Sequence, residues 1–278
     1  MPSFIDLPGN RRIAYHLSDG TLPGVVFLGG FRSDMTGSKA TALETFCRAR
    51  GQRFLRFDYT GHGQSSGEFK DGTIGAWKQD AIDMLTHIAP GQNILVGSSM
   101  GGWLMLLAAL HYNSPPHRGE AGRGALSEPL SQKSPPPNLP PNGGGTIVAL
   151  VGIATAPDFT EKLVWDQFTA AQKKELLENG AVSIPDCYGS EPYLLTRQLI
   201  EEGRHHLLLD APIAIKVPVR LLHGTADADV PAHIATTLLG RLTSADATLT
   251  LVEGAGHRMS EPDQLALMCQ TVASLTNS

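Results

Sequence analysis

Asn93-Ile94-Leu95-Val96-Gly97-Ser98-Ser99-Met100-Gly101-Gly102-Trp103-Leu104-Met105-Leu106 carries one apolar run into a glycine-bracketed serine and a second apolar run out of it. A strand, a sharp turn and a helix account for the pattern, with Ser99 at the apex. Glycines two residues to either side let strand and helix approach closely, while a strained turn exposes the serine hydroxyl, as in a nucleophile elbow. Ser99 is the candidate nucleophile. A chain with 30 Gly can match G-x-S-x-G by chance, so the surrounding sequence has to supply the rest of the chemistry.

A serine hydroxyl is a weak nucleophile at neutral pH and needs a base, a carboxylate to orient that base, and donors for the oxyanion. Asp227 follows the apolar run Val217-Pro218-Val219-Arg220-Leu221-Leu222, and His257 follows Leu249-Thr250-Leu251-Val252. Serine, aspartate and histidine then stand in the chain order of α/β-hydrolases, each just past the C-terminal end of a different expected strand. Asp229 is the rival carboxylate, but an Asp three residues before Val230-Pro231 fits the pattern better and leaves Asp229 as a charge at a helix N-terminus. Of the 10 His, His62 sits in a Gly-His-Gly turn, His223 closes a strand and His205-His206 fall in an inserted segment; only His257 has the strand-then-loop setting of a general base. The oxyanion donors expected from the same logic are the backbone N–H of Met100 and that of Phe31, which follows Val25-Val26-Phe27-Leu28-Gly29-Gly30. Arg32, at the mouth, reads as a solvated or ion-paired residue, with a substrate clamp as the alternative.

The 278 residues suffice to bury roughly three quarters of the unfolded surface. A net charge of -5 leaves no electrostatic footprint for nucleic acid. Cys47, Cys187 and Cys269 are too few and scattered for a disulfide framework, and no Cys/His ligand spacing occurs, so reduced thiols, no metal and no cofactor are expected. Neither a signal peptide nor a membrane span is visible, which places the chain in the cytoplasm on sequence grounds. A monomer is expected.

Continuous apolar runs such as Ile147-Val148-Ala149-Leu150-Val151 alternate with helix-like stretches at 40–49 and 74–88, the signature of an α/β fold whose mostly parallel, doubly wound sheet is covered on both faces. Two segments interrupt it within a single domain, 1–278. Residues 113–145 contain Ser134-Pro135-Pro136-Pro137 and Gly143-Gly144-Gly145, cannot build a core, and read as a disordered insertion leaving the edge opposite the nucleophile. Residues 156–216 begin on the catalytic face and carry helix-like pieces at 160–168, 170–179 and 191–205, which makes them a small helical cap.

Met35-Thr36-Gly37-Ser38-Lys39-Ala40, Arg56-Phe57-Asp58-Tyr59, the elbow run Leu95 to Leu106, Arg220-Leu221-Leu222-His223-Gly224 and His257-Arg258-Met259 together resemble one branch of the α/β-hydrolase superfamily, that of the animal mitochondrial palmitoyl-protein thioesterase and acyl-glucuronide esterase. The resemblance spans most of the chain outside 113–145, and Gly-Ser-Ser-x-Gly-Gly-Trp is its most specific element. It implies an α/β-hydrolase fold, the same Ser99, Asp227 and His257, a small-molecule or lipid-acylated substrate that includes S-acylated proteins, and a mitochondrial location as the alternative to the cytoplasm. The sequence departs from the branch in its Pro-rich insertion and its lack of an Arg-rich presequence. The expected chemistry is acyl ester or thioester hydrolysis through an acyl-enzyme. Carbon-carbon bond or peptide hydrolysis on the same fold, and a non-catalytic scaffold, are the competing classes.

Overall fold

The computed structural model describes residues 1–113, 145–185 and 192–276. The insertion expected over 113–145 lies outside the described residues between 114 and 144, as does Cys187. β1 (Ser3–Leu7) and β2 (Arg11–Ser18) precede β3 (Thr21–Leu28), α1 (Ser38–Ala49), β4 (Gln52–Phe57), α2 (Ile74–His87), β5 (Gln92–Ser98), α3 (Met100–Asn113) and β6 (Thr146–Ile153). An intervening segment carries α4 (Ala170–Asn179), β7 (Ala181–Ile184), β8 (Tyr193–Thr196) and α5 (Arg197–Gly203), and the chain finishes with β9 (Val219–Gly224), α6 (Ala232–Arg241), β10 (Ala247–Val252) and α7 (Pro262–Thr276).

Eight strands form one sheet in the order β1-β2-β4-β3-β5-β6-β9-β10. β2 runs antiparallel to β1 and β4, and all other pairings are parallel. Side chains on successive strand residues point to opposite faces, so Val25, Phe27, Ile94 and Val96 pack with α1 and α7, while Val26, Leu28 and Leu95 pack with α2 and α3. From β3 the chain steps outward to β4, then returns to β5 on the other side of β3. That reversal is the switch point of a doubly wound sheet, where a crevice opens at the strands' C-terminal ends. Ser99 and Phe31 follow the two strands that bound it.

The segment after β6 is anchored at both ends of its path. Asp158, at φ 59°, is fully buried, and its carboxylate accepts the Leu208 and Leu209 N–H groups at 2.8 Å each. Glu202 on α5 accepts the Gly75 N–H in the first turn of α2, where a carboxylate suits the helix dipole, and bonds His206 Nε2 at 2.7 Å. The His206 carbonyl in turn accepts the Trp103 indole N–H at 3.0 Å. Between these anchors the structure departs from the helix-like pieces expected at 160–168 and 191–205. Residues 160–165 form a π-helical turn, and β7 and β8 make an antiparallel hairpin. The hairpin takes the first residues expected to be helical, because Thr196 stays extended and caps α5 by accepting the Leu199 N–H, so the helix begins at Arg197.

Removing the Asp158 carboxylate would leave two buried N–H groups without acceptors. Asp158→Ala is expected to lose about 2–4 kcal/mol of stability, read from the urea midpoint at unchanged m-value.

Candidate active site

β5 delivers Ser99 into a turn at φ 54°, a left-handed conformation that serine adopts only under constraint. The Ser99 N–H donates to the Ile153 carbonyl at 2.9 Å, and its own carbonyl accepts the Gly102 and Ala156 N–H groups. A Cβ on Gly97 would collide with the Gly101 carbonyl, and one on Gly101 with the Leu28 carbonyl, so no other residue permits this approach of β5, α3 and β3.

Ser99, His257 and Asp227 come together in one hydrogen-bonded chain although the first two stand 158 positions apart. His257 Nε2 lies 3.0 Å from Ser99 Oγ, and His257 Nδ1 lies 2.9 Å from Asp227 Oδ2. With the proton on Nδ1, Nε2 is the acceptor that faces the serine hydroxyl. Asp227 Oδ1 accepts the N–H groups of Asp229 (3.0 Å) and Val230 (2.8 Å), so Asp229 meets the neighbouring carboxylate through its main chain. Burial pushes the Asp227 pKa upward, but the His257 and Val230 hydrogen bonds and the electrostatic influence of the His257 and His223 imidazoles outweigh it and hold the carboxyl below its usual range. His223 reaches further into this site than its position at a strand end suggests. Its buried Nε2 donates to the Val230 carbonyl at 2.8 Å and stands 3.5 Å from Asp227 Oδ2, bracing the loop that carries the acid.

Phe31 and Met100 lie on the same cavity as Ser99. Among the described residues neither N–H has a hydrogen-bond acceptor, and that of Met100 opens α3, where the helix dipole adds positive potential. The Phe31 ring is held at centroid distances of 4.9 to 5.9 Å by Phe69, Trp77, Phe159 and Tyr193. Arg32 stacks its guanidinium on Tyr193, 4.4 Å from the ring centroid.

The cavity measures about 810 Å³. One wall is apolar, with Phe159, Leu163, Val164, Ile184 and Leu195 from the segment after β6. The other is polar and includes Lys39, whose ammonium donates to the Arg258 carbonyl beside His257. Burial, helped by the Arg258 charge, lowers the Lys39 pKa to about 8. Asp227, Asp229 and His257 are the cluster among the described residues whose donor atoms converge, within 4.8 Å, as cation ligands would. The facing atoms of Asp227 and His257 are already committed to each other, an arrangement suited to proton transfer. Cys47 and Cys269 are unbridged, and burial pushes the Cys47 thiol up to about 12, which removes it from thiolate chemistry at neutral pH.

The chain belongs to the α/β-hydrolase family, whose model (Alpha/beta hydrolase family) matches residues 25–266. It is 36% identical over 274 residues to the mitochondrial palmitoyl-protein thioesterase ABHD10 of Bos taurus, a match covering 98% of this chain and 79% of that protein. The human protein of the same name is 35% identical with the same coverage. Among solved structures, mouse alpha/beta hydrolase domain-containing protein 10 superposes with a TM-score of 0.81 at 33% identity, covering 100% of this chain and 98% of that one. A crystal structure from Agrobacterium vitis S4 gives 0.84 at 34% identity, covering 99% and 98%. The branch resemblance read from the sequence therefore holds.

Because His257 Nδ1 bonds the Asp227 carboxylate at 2.9 Å, Asp227→Asn is expected to cut kcat/KM by about 10²- to 10⁴-fold, against less than about tenfold for Asp229→Asn. Ester hydrolysis by the two purified variants, compared side by side, checks the assignment.

Proposed function

We propose that the protein is a serine hydrolase that cleaves acyl esters or thioesters through an acyl-enzyme, as palmitoyl-protein thioesterases and acyl-glucuronide esterases do. The observation that carries the proposal is the hydrogen-bonded chain Ser99, His257, Asp227 opening onto a cavity with an apolar wall. Ser99 Oγ attacks the acyl carbonyl while His257 Nε2 takes its proton, and the Phe31 and Met100 N–H groups receive the charge that develops on the carbonyl oxygen. His257 then returns the proton to the departing alcohol or thiol. Water, activated by the same imidazole, releases the acyl group. Asp227 stays ionised throughout, fixes the histidine tautomer and stabilises the imidazolium.

Residues 156–216 act in this reading as the cap that receives the acyl chain, with an S-acylated protein or a small acyl ester as substrate. The names of the curated relatives support the thioesterase form of the activity. They also place those relatives in the mitochondrion, which runs against a cytoplasmic location for this chain and favours the mitochondrial alternative. Among the described residues no helix is long and apolar enough to cross a membrane.

A fluorophosphonate probe is expected to label Ser99 and to leave Ser98, which is buried as the last residue of β5, unmodified. Peptide mapping of the labelled protein reads this directly, and Ser99→Ala should abolish both labelling and turnover on acyl esters, acyl thioesters and acyl glucuronides. Persistent labelling in that variant would sink the nucleophile assignment. In the same substrate panel, Leu195→Ala and Leu163→Ala should each lower kcat/KM for long acyl chains by roughly 10- to 200-fold, the worth of about 1–3 kcal/mol of apolar contact. Acetyl substrates should change little.

A further inference from the structure

Arg32, which directly follows Phe31, is held at φ 59°, a conformation that a long side chain seldom adopts without an external hold. One such hold comes from His62. The Arg32 N–H donates to His62 Nε2 at 3.3 Å, and His62 Nδ1 faces the Thr60 carbonyl at 3.4 Å, so the proton belongs on Nδ1 and the lone pair on Nε2. Residue 62 is itself pinned between Gly61 and Gly63, both at positive φ, with its N–H donating to the Tyr59 carbonyl at 2.9 Å. Its buried ring packs edge-on against Phe69 and Trp77 at 5.2 and 5.1 Å, the same two rings that seat Phe31. Polar and apolar restraints on residues 31 and 32 thus converge on one cluster.

We propose that His62 is a positioning residue for the oxyanion hole: by accepting the Arg32 N–H it fixes the Phe31–Arg32 peptide and, through it, the aim of the Phe31 N–H at the carbonyl attacked by Ser99. The inference rests on the serine-hydrolase reading above. His62 does not line the cavity and touches no reacting atom. Burial lowers its pKa to about 4 against the opposing Thr60 hydrogen bond, so Nε2 keeps its acceptor lone pair at neutral pH.

His62→Phe keeps an aromatic ring and removes the acceptor, whereas His62→Gln retains an acceptor on a chain of similar reach. On a p-nitrophenyl ester, His62→Phe is expected to lower kcat about 10- to 100-fold with KM changed less than about threefold. An alkyl trifluoromethyl ketone, which Ser99 would convert to a hemiketal oxyanion, should lose affinity by the same factor as kcat/KM. His62→Gln should recover most of both losses. Wild-type kcat and ketone affinity in His62→Phe would overturn the proposal, and so would a loss confined to KM. Should His62→Phe not fold, nitrogen-15 NMR of the wild-type ring decides: an unprotonated, hydrogen-bonded Nε2 at pH 7 supports the assignment, and a protonated Nε2 refutes it. Ser99→Ala is run in parallel, because turnover surviving in that variant would remove the serine-hydrolase reading itself, whatever His62 does.

Discussion

The close approach of β5, α3 and β3 around Gly97 and Gly101 is the constraint on which the rest of this molecule depends. It forces Ser99 into a left-handed turn, a strain of roughly 1–3 kcal/mol. The turn persists because the groups around it are committed elsewhere: the Ser99 N–H to β6, the Ser99 carbonyl to Gly102 and Ala156, and α3 to a core that buries Met100 through Ala109 on every side. A helix buried all round cannot slide or rotate to relieve one residue at its start. The same geometry leaves the first N–H of α3 unbonded beside the hydroxyl, so the proposed donor and the proposed nucleophile arise from one turn.

Among the described residues, three buried aspartates each accept two backbone N–H groups, yet they do not ionise alike. Burial raises Asp58 and Asp158, and the two main-chain bonds each receives only moderate the rise. Asp227 falls below the usual range instead. The difference is its imidazole partners: His257 donates a side-chain hydrogen bond to it, and the electrostatic influence of His257 and His223 adds to that bond. Two N–H groups are enough to hold a loop. A histidine is what keeps this carboxylate reliably charged, and a charged carboxylate is what an imidazolium intermediate requires.

The elbow, the inner strands and the residues that meet Ser99 were legible in the sequence because each is written in a local pattern: a continuous apolar run, a glycine spacing, a polar residue just beyond a strand. The edge pair β1 and β2 was not. β1 is largely exposed and carries no continuous apolar run, so only its pairing with β2 makes it a strand. The four-residue strands of the β7–β8 hairpin likewise depend on each other, and Tyr193–Thr196 passes for the start of a helix until Thr196 is seen as its cap. His62 and His223 looked structural for the same reason: their partners, the Arg32 N–H and the Asp227 carboxylate, are set by the fold. A histidine flanked by two glycines was the available signal at position 62, and it needed the third dimension to acquire a meaning.

Phe31 is gripped from two sides. Phe69 and Trp77 come from the main body, while Phe159 and Tyr193 come from the segment that walls the cavity, and Tyr193 also carries the Arg32 guanidinium on its face. The residue proposed to stabilise the oxyanion is therefore a keystone between two layers. Under the proposed function, chain-length selectivity and turnover would share that stone, and repacking the apolar wall around Tyr193 or Phe159 for a different substrate would also disturb the angle at which charge is met. Leu163 and Leu195 line the same cavity without being part of that ring stack.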